Sequence, residues 1–109
     1  MRIWDLEPAL LCRQHLLGEH RELHGLWVIL TENKRGFARH PETARWRGKL
    51  KALYRRHEAL VVEMTRRGYR HQTPLPAAQA TGLGVQEDYK DSPVEQVEIL
   101  QRKGCGCRV

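Results

Sequence analysis

Residues 14–23 read Gln14-His15-Leu16-Leu17-Gly18-Glu19-His20-Arg21-Glu22-Leu23, and their spacing decides the fold class. At 3.6 residues per turn, Gln14, His15, Gly18, Arg21, Glu22 and Gly25 share one strip of a helix, while Cys12, Leu16, Leu23, Leu26 and Leu30 share another. The apolar strip is a core face. The polar strip lacks the Lys and Glu pairs of an ordinary solvated face. Gly18 and Gly25 interrupt it, each at up to about 1 kcal/mol relative to Ala, which suggests close approach by another group.

Working outward, the helix should begin near Pro8, with Asp5 available as a cap, and run to about residue 30 or 31. The α-amino group of Met1 then lies near its N-terminal half, beside Arg2 and Trp4, with Ile3, Trp4 and Leu6 as apolar anchors. Residues 32–45 form a basic loop punctuated by Asn33, Gly36 and Pro41, with a short helical turn after Pro41. Its Lys34, Arg35, Arg39, His40 and Arg45 are candidates to track phosphates, and Phe37 and Trp46 to stack on a base. The competing reading is a solvated loop with both aromatics turned inward, and it suits the aromatics better.

Residues 46–67 carry the clearest helical stripe, Leu50, Leu53, Tyr54, His57, Leu60, Val61 and Met64. Lys49, Lys51, Arg55, Arg56, Glu58 and Glu63 face outward, Gly68 ends the helix, and His57 reads as a satisfied core histidine. A loop without periodicity follows through Pro74, Pro76, Gly82 and Gly84. Ser92 and Pro93 then open a last helix that should reach about residue 103, before Gly104. The expected fold is all-α: a compact single domain over residues 1–109, three helices with long irregular loops and the N-terminal segment packed among the helices. No strand pair or internal repeat is visible.

The net charge of +6, from 19 Lys and Arg against 13 Asp and Glu, favours a polyanionic partner, with nucleic acid weighed against an inert basic surface. No run approaches the roughly 18 apolar residues of a membrane span, and no signal peptide is visible. A cytoplasmic monomer that makes no membrane contact is expected. Three cysteines, an odd count, argue against a disulfide framework. Cys105 and Cys107 could supply two thiolates to a metal, but no second cluster with ordinary spacing accompanies them, so no metal and no cofactor are expected. His20 and His24, four residues apart, could chelate from one helical face, against the plainer reading of two solvated histidines.

The chain has no glycine-rich phosphate loop, no nucleophile elbow and no His-Glu-x-x-His motif. What remains is Glu22 on the polar strip, near His15 and an N-terminal amine. An α-amino group has a reference pKa of about 7.7 to 8.0, so near neutral pH far more of it is a free nucleophile than of a lysine. Such an amine can form a Schiff base at C1′ of a deoxyribose, while a carboxylate stabilises the cationic intermediate and takes the C2′ proton. The plainer reading of Glu22 is a surface carboxylate paired with Arg21.

At these residues the chain resembles the pyrimidine-dimer DNA glycosylase/AP lyase family of the bacteriophage endonuclease V type. The resemblance rests on Arg2-Ile3, Gln14-His15-Leu16, Glu19 and Arg21-Glu22-Leu23, and more weakly on Lys49-Leu50 and Arg67-Gly68. It implies a compact three-helix fold that excises a damaged pyrimidine from duplex DNA, then nicks the abasic strand by β-elimination. Carried over position by position, it puts the amine nucleophile on Met1, the catalytic carboxylate on Glu22, and DNA contacts on Arg2, Gln14, His15 and Arg21.

The chain departs from the family pattern at three places. Met1 stands where the phage enzyme exposes a threonine, His24-Gly25 replaces a basic position, and Lys103-Gly104-Cys105-Gly106-Cys107-Arg108-Val109 replaces an aromatic, basic tail. Arg102 and Lys103 are further candidates for phosphate contact. Alternatives are a non-catalytic basic DNA-binding module, an AP lyase without dimer specificity, or a small metal-binding protein.

Overall fold

The computed structural model describes residues 1–36, 39–71 and 73–109 and is helical throughout, with no strand among the described residues. Phe37, a candidate for base stacking, lies outside them. Four α-helices are present: α1 (Arg13–Glu32), α2 (Pro41–Trp46), α3 (Leu50–Arg66) and α4 (Pro93–Lys103). Single 3-10 turns precede α1 (Pro8–Leu10) and interrupt the loop before α4 (Ala77–Gln79). The three long helices are those expected from the sequence, and α2 enlarges the short turn expected after Pro41. The Cα radius of gyration, 13.6 Å, matches the roughly 13 Å of a compact chain this long.

The core lies between α1 and α3, where Leu16, Leu23 and Leu26 meet Leu53 and Leu60, all fully buried. Trp46, Leu75 and Leu100 close it from α2, the long loop and α4. The N-terminal segment is part of this core, with Ile3, Trp4 and Leu6 buried. Polar bonds hold it as well: the Ile3 carbonyl accepts from Arg45 Nη2 at 2.9 Å and the Asp5 amide donates to Gln96 Oε1 at 2.7 Å.

Two helix starts differ from the expected ones. The first helix is not continuous from Pro8, because Leu11 and Cys12 are extended and α1 begins at Arg13. The cause is tertiary: Arg67 Nη2, on the chain after α3, donates to the Leu11 carbonyl at 2.6 Å and the Pro8 carbonyl at 3.3 Å. Asp5 therefore caps nothing; its carboxylate pairs with Arg45 at 3.0 Å. The second long helix begins at Leu50 rather than Trp46, because Arg47 is extended and Gly48 has φ of +73°.

The long loop compensates at that second break. The amides of Lys51 and Ala52, which have no partner within the first turn of α3, donate to the carbonyls of Thr81 and Leu83 at 2.8 and 3.0 Å. Gly82, at φ +81°, packs so closely that a Cβ there would lie 2.1 Å from the Gly48 carbonyl oxygen. The final helix follows the expected chemistry, with a Ser92–Glu95 capping box and Gly104 in the left-handed conformation at its end.

Charged residues expected to face water are partly recruited inward. Arg45, a candidate phosphate contact, is buried and committed to Asp5, Glu42 and the Ile3 carbonyl. Trp46 is also buried, donating to Glu42 Oε1 at 2.8 Å, which settles its inward orientation. Glu63 is buried and gripped by Arg66 and Arg67, whose hydrogen bonds, Arg66's foremost, hold its carboxyl down at about 2.

Candidate active site

The polar strip of α1 and the N-terminal segment enclose one open groove of about 950 Å³. Met1, Arg2, Gln14, His15, Arg21 and Glu22, the six residues singled out by sequence, all line it. Trp4, Arg13, Gly18, Glu19 and Lys103 are also in the wall, with Leu17 and Ile99 as its apolar part. The buried anchors Ile3 and Trp4 hold the chain's first residue beside α1, so Met1 lines the groove through packing in the core.

The groove residues differ in how committed they are. Glu22 and Arg21 are exposed, and Glu22 makes no ion pair among the described residues, so the Arg21 pairing is absent. Arg2 is half-buried, bonded to Asp91 at 2.8 Å and placed over the Trp4 ring at 4.8 Å. His15 is drawn toward sulfur: its Nδ1 lies 3.1 Å from Cys12 Sγ and 3.4 Å from Cys107 Sγ. Burial, and to a lesser degree Lys103, lowers its pKa.

Glu19 forms the floor. It is 2% exposed and receives both Arg56 Nε and Nη2, at 2.6 and 3.0 Å. Burial pushes its carboxyl above the usual range, while the Arg56 pair opposes that shift. A Cβ on Gly18 or Gly25 would meet nothing within 4 Å, so among the described residues the group expected to approach these glycines is not another part of the chain. Gly18 still lines the groove, beside Glu19.

A family model described as pyrimidine dimer DNA glycosylase matches residues 1–77. The chain belongs to that family. The match takes in all six sequence-chosen groove residues and stops before α4, which brings Lys103 to the groove from outside the matched stretch. Membership in a pyrimidine dimer DNA glycosylase family makes damaged DNA the partner and glycosylase activity the enzymatic class. No curated protein and no solved structure matches the sequence. No helix among the described residues is long and apolar enough to cross a membrane.

Folding creates two side-chain clusters that linear spacing hides. Cys12, His15, Cys105 and Cys107 bring their ligand atoms within 4.8 Å of one another at the edge of the groove, although some ninety residues separate the two halves. On the far side of α1, His20 and His24 meet His57 of α3 and His71 of the loop, again within 4.8 Å. His57 is fully buried while His20, His24 and His71 are half-buried, and burial, ahead of the neighbouring rings, lowers His20 to about 4. Burial lowers His24 and His57 as well. The sequence signal for both clusters was a pair of residues at short spacing, with the remaining ligands supplied only by the fold.

Proposed function

We propose that this chain excises a damaged pyrimidine of a UV cyclobutane dimer and nicks the resulting abasic strand, using the Met1 amine as nucleophile and Glu22 as catalytic carboxylate. The observation that carries the reading is that the chain's first residue and an unpaired carboxylate line the same open groove of a family member. The free amine attacks C1′ of the deoxyribose; the N–C1′ bond forms as the glycosidic bond breaks and the pyrimidine leaves with the electron pair. The nitrogen then gives up a proton and its lone pair expels O4′, which takes up a proton as the C1′–O4′ bond breaks and the sugar ring opens; the resulting Schiff base acidifies C2′. A carboxylate removes the C2′ proton, and the C3′–O bond breaks to release the 3′ phosphate.

The rest of the groove suits the substrate. Gln14 and Arg21 are exposed and free to meet the strand, with Arg13 and Lys103 adding positive charge on either side. Arg2 would exchange Asp91 for a phosphate. His15, with Nδ1 beside two sulfurs, keeps only Nε2 for a DNA contact. Reaching C1′ requires the target nucleotide to leave the stack, and a groove open to solvent admits an extruded sugar.

Borohydride reduction on duplexes carrying a cyclobutane dimer or an abasic site tests the reading. A covalent adduct through the Met1 nitrogen is expected on both, located by peptide mass spectrometry. Full strand cleavage by protein acetylated at its N-terminus overturns the Met1 assignment. Salt-dependent binding without any adduct instead identifies a non-catalytic DNA-binding module, and an adduct with abasic DNA alone identifies a lyase without dimer specificity.

A further inference from the structure

We propose that Cys12, His15, Cys105 and Cys107 form a structural zinc site that fastens the C-terminal tail to the start of α1. The cluster has the geometry of a nearly closed coordination shell. Cys12 Sγ lies 3.1 Å and Cys107 Sγ 3.4 Å from the single nitrogen His15 Nδ1, and all four ligand atoms fall within 4.8 Å of one another. Tetrahedral zinc, with bonds of about 2.3 Å to sulfur and about 2.0 to 2.1 Å to nitrogen, sets its ligands roughly 3.4 to 3.8 Å apart. One imidazole nitrogen cannot hydrogen-bond fully to two sulfurs at once, whereas one ion between them satisfies every member. Three thiolates with one imidazole form a donor set suited to zinc.

The backbone is shaped for this task. Cys12 occupies the N-cap of α1 without making a side-chain cap bond, which puts its sulfur at the positive end of the helix dipole, where a thiolate is favoured. Gly104 and Gly106 take φ of +60° and +105°, and these two turns present Cys105 and Cys107 to α1. The Cys12 amide donates to Cys107 Sγ at 3.1 Å, and the Arg108 amide to the Leu10 carbonyl at 2.7 Å. All three cysteines are free of disulfides. Binding would expel the thiol protons and fix both His15 and Lys103 at the groove wall.

Cobalt substitution of the full-length protein tests this site. The expected result is an intense near-ultraviolet thiolate-to-cobalt band at one equivalent, reduced in Cys105→Ser and Cys107→Ser. In the zinc-loaded wild type, thiol reagents should react slowly until a chelator is added and at least tenfold faster afterwards. This second reading does not depend on whether the variants fold. Absence of the band, together with three thiols that react freely before chelation or a disulfide found by mass spectrometry, overturns the proposal.

A second cluster carries an independent inference. We infer that His20, His24, His57 and His71 bind one first-row divalent ion between α1, α3 and the loop. His24 Nε2 and His57 Nε2 lie 3.1 Å apart, and the buried Nε2 atoms of His20 and His71 have no hydrogen-bond partner. The Glu58 carboxylate can only accept at 3.0 Å from His57 Nδ1, which fixes the Nδ1–H tautomer and leaves the Nε2 lone pair directed into the cluster. A carboxylate behind a histidine is the usual outer support of a metal ligand.

Native mass spectrometry with added zinc should find two ions in the wild type and one in His71→Ala, whose substitution lies in the loop. His71→Ala should keep the thiolate-to-cobalt band. A wild type that gains only the thiolate-bound ion, or a His71→Ala variant that still holds two, overturns the four-histidine site.

Discussion

Glu19 and Glu22 stand three residues apart on α1 and have opposite fates. Glu19 turns inward, is 2% exposed and is gripped by Arg56; Glu22 turns outward and pairs with nothing among the described residues. The same division runs through the whole molecule. On the inner side, Arg45, Arg56 and Arg67 are spent on carboxylates and on the carbonyls of the N-terminal segment, and on the groove side Arg21 and Glu22 remain available. Charge satisfied inside the protein builds the frame, and charge left unsatisfied at its edge is open to a substrate.

The sharpest way to break the comparison is to neutralise each acid in turn. Glu22→Gln should lower strand scission on a dimer-containing duplex by about 100- to 10,000-fold, the range of a lost acid–base group, while leaving the thermal transition unchanged. A large loss of stability in that variant would place Glu22 with Glu19 as a structural residue. Glu19→Gln should do the reverse in chemical denaturation, costing about 3 kcal/mol because the half-buried Arg56 loses the carboxylate that compensates its charge.

The glycines extend the test to the backbone. Gly82→Ala should cost about 1 to 3 kcal/mol, since its φ is positive and a Cβ would strike the Gly48 carbonyl. Gly18→Ala should instead raise stability by up to about 1 kcal/mol, because the new methyl meets nothing and the helix gains a better former. Any loss of activity in that stable variant would then measure the space the sugar needs.

The last expected effect concerns pH. Glu63 titrates near 2 in the folded protein because Arg66 and Arg67 hold its charged form, below the ordinary carboxylate value of 4.5. A depressed pKa contributes stability above 4.5 that disappears as pH falls toward 2. Glu63→Gln should therefore flatten the acid limb of the stability profile between those values and leave its shape near neutrality unchanged.

How much of this was legible beforehand follows from range. The stripes of Leu16, Leu23 and Leu26 and of Leu53, Leu60 and Met64, the Ser92 cap and the Gly104 stop depend on neighbours within one or two turns. Such features can be read in order along the chain. The groove residues were legible too, because Gln14, Arg21 and Glu22 break the expected pattern of a helix face. Arg45 was misplaced because a phosphate-seeking arginine and one buried beneath the N-terminal segment look alike until Asp5 and Ile3 are known to face it. The break at Leu11 was invisible for the same reason, since Arg67 that causes it is more than fifty residues away.

By itself the sequence determined an all-helical chain with a polar strip near its start, and it pointed to an amine and a carboxylate as candidates for the chemistry. Hydrophobic periodicity, caps and turns act locally, and that is enough to place helices and their faces. Only the tertiary structure decided that Glu19 is frame and Glu22 is free, that Met1 and Glu22 line one groove, and that Cys12 and His15 meet Cys105 and Cys107. Those outcomes depend on which distant side chain arrives to compensate a buried charge or complete a ligand set, and packing, not spacing, selects it.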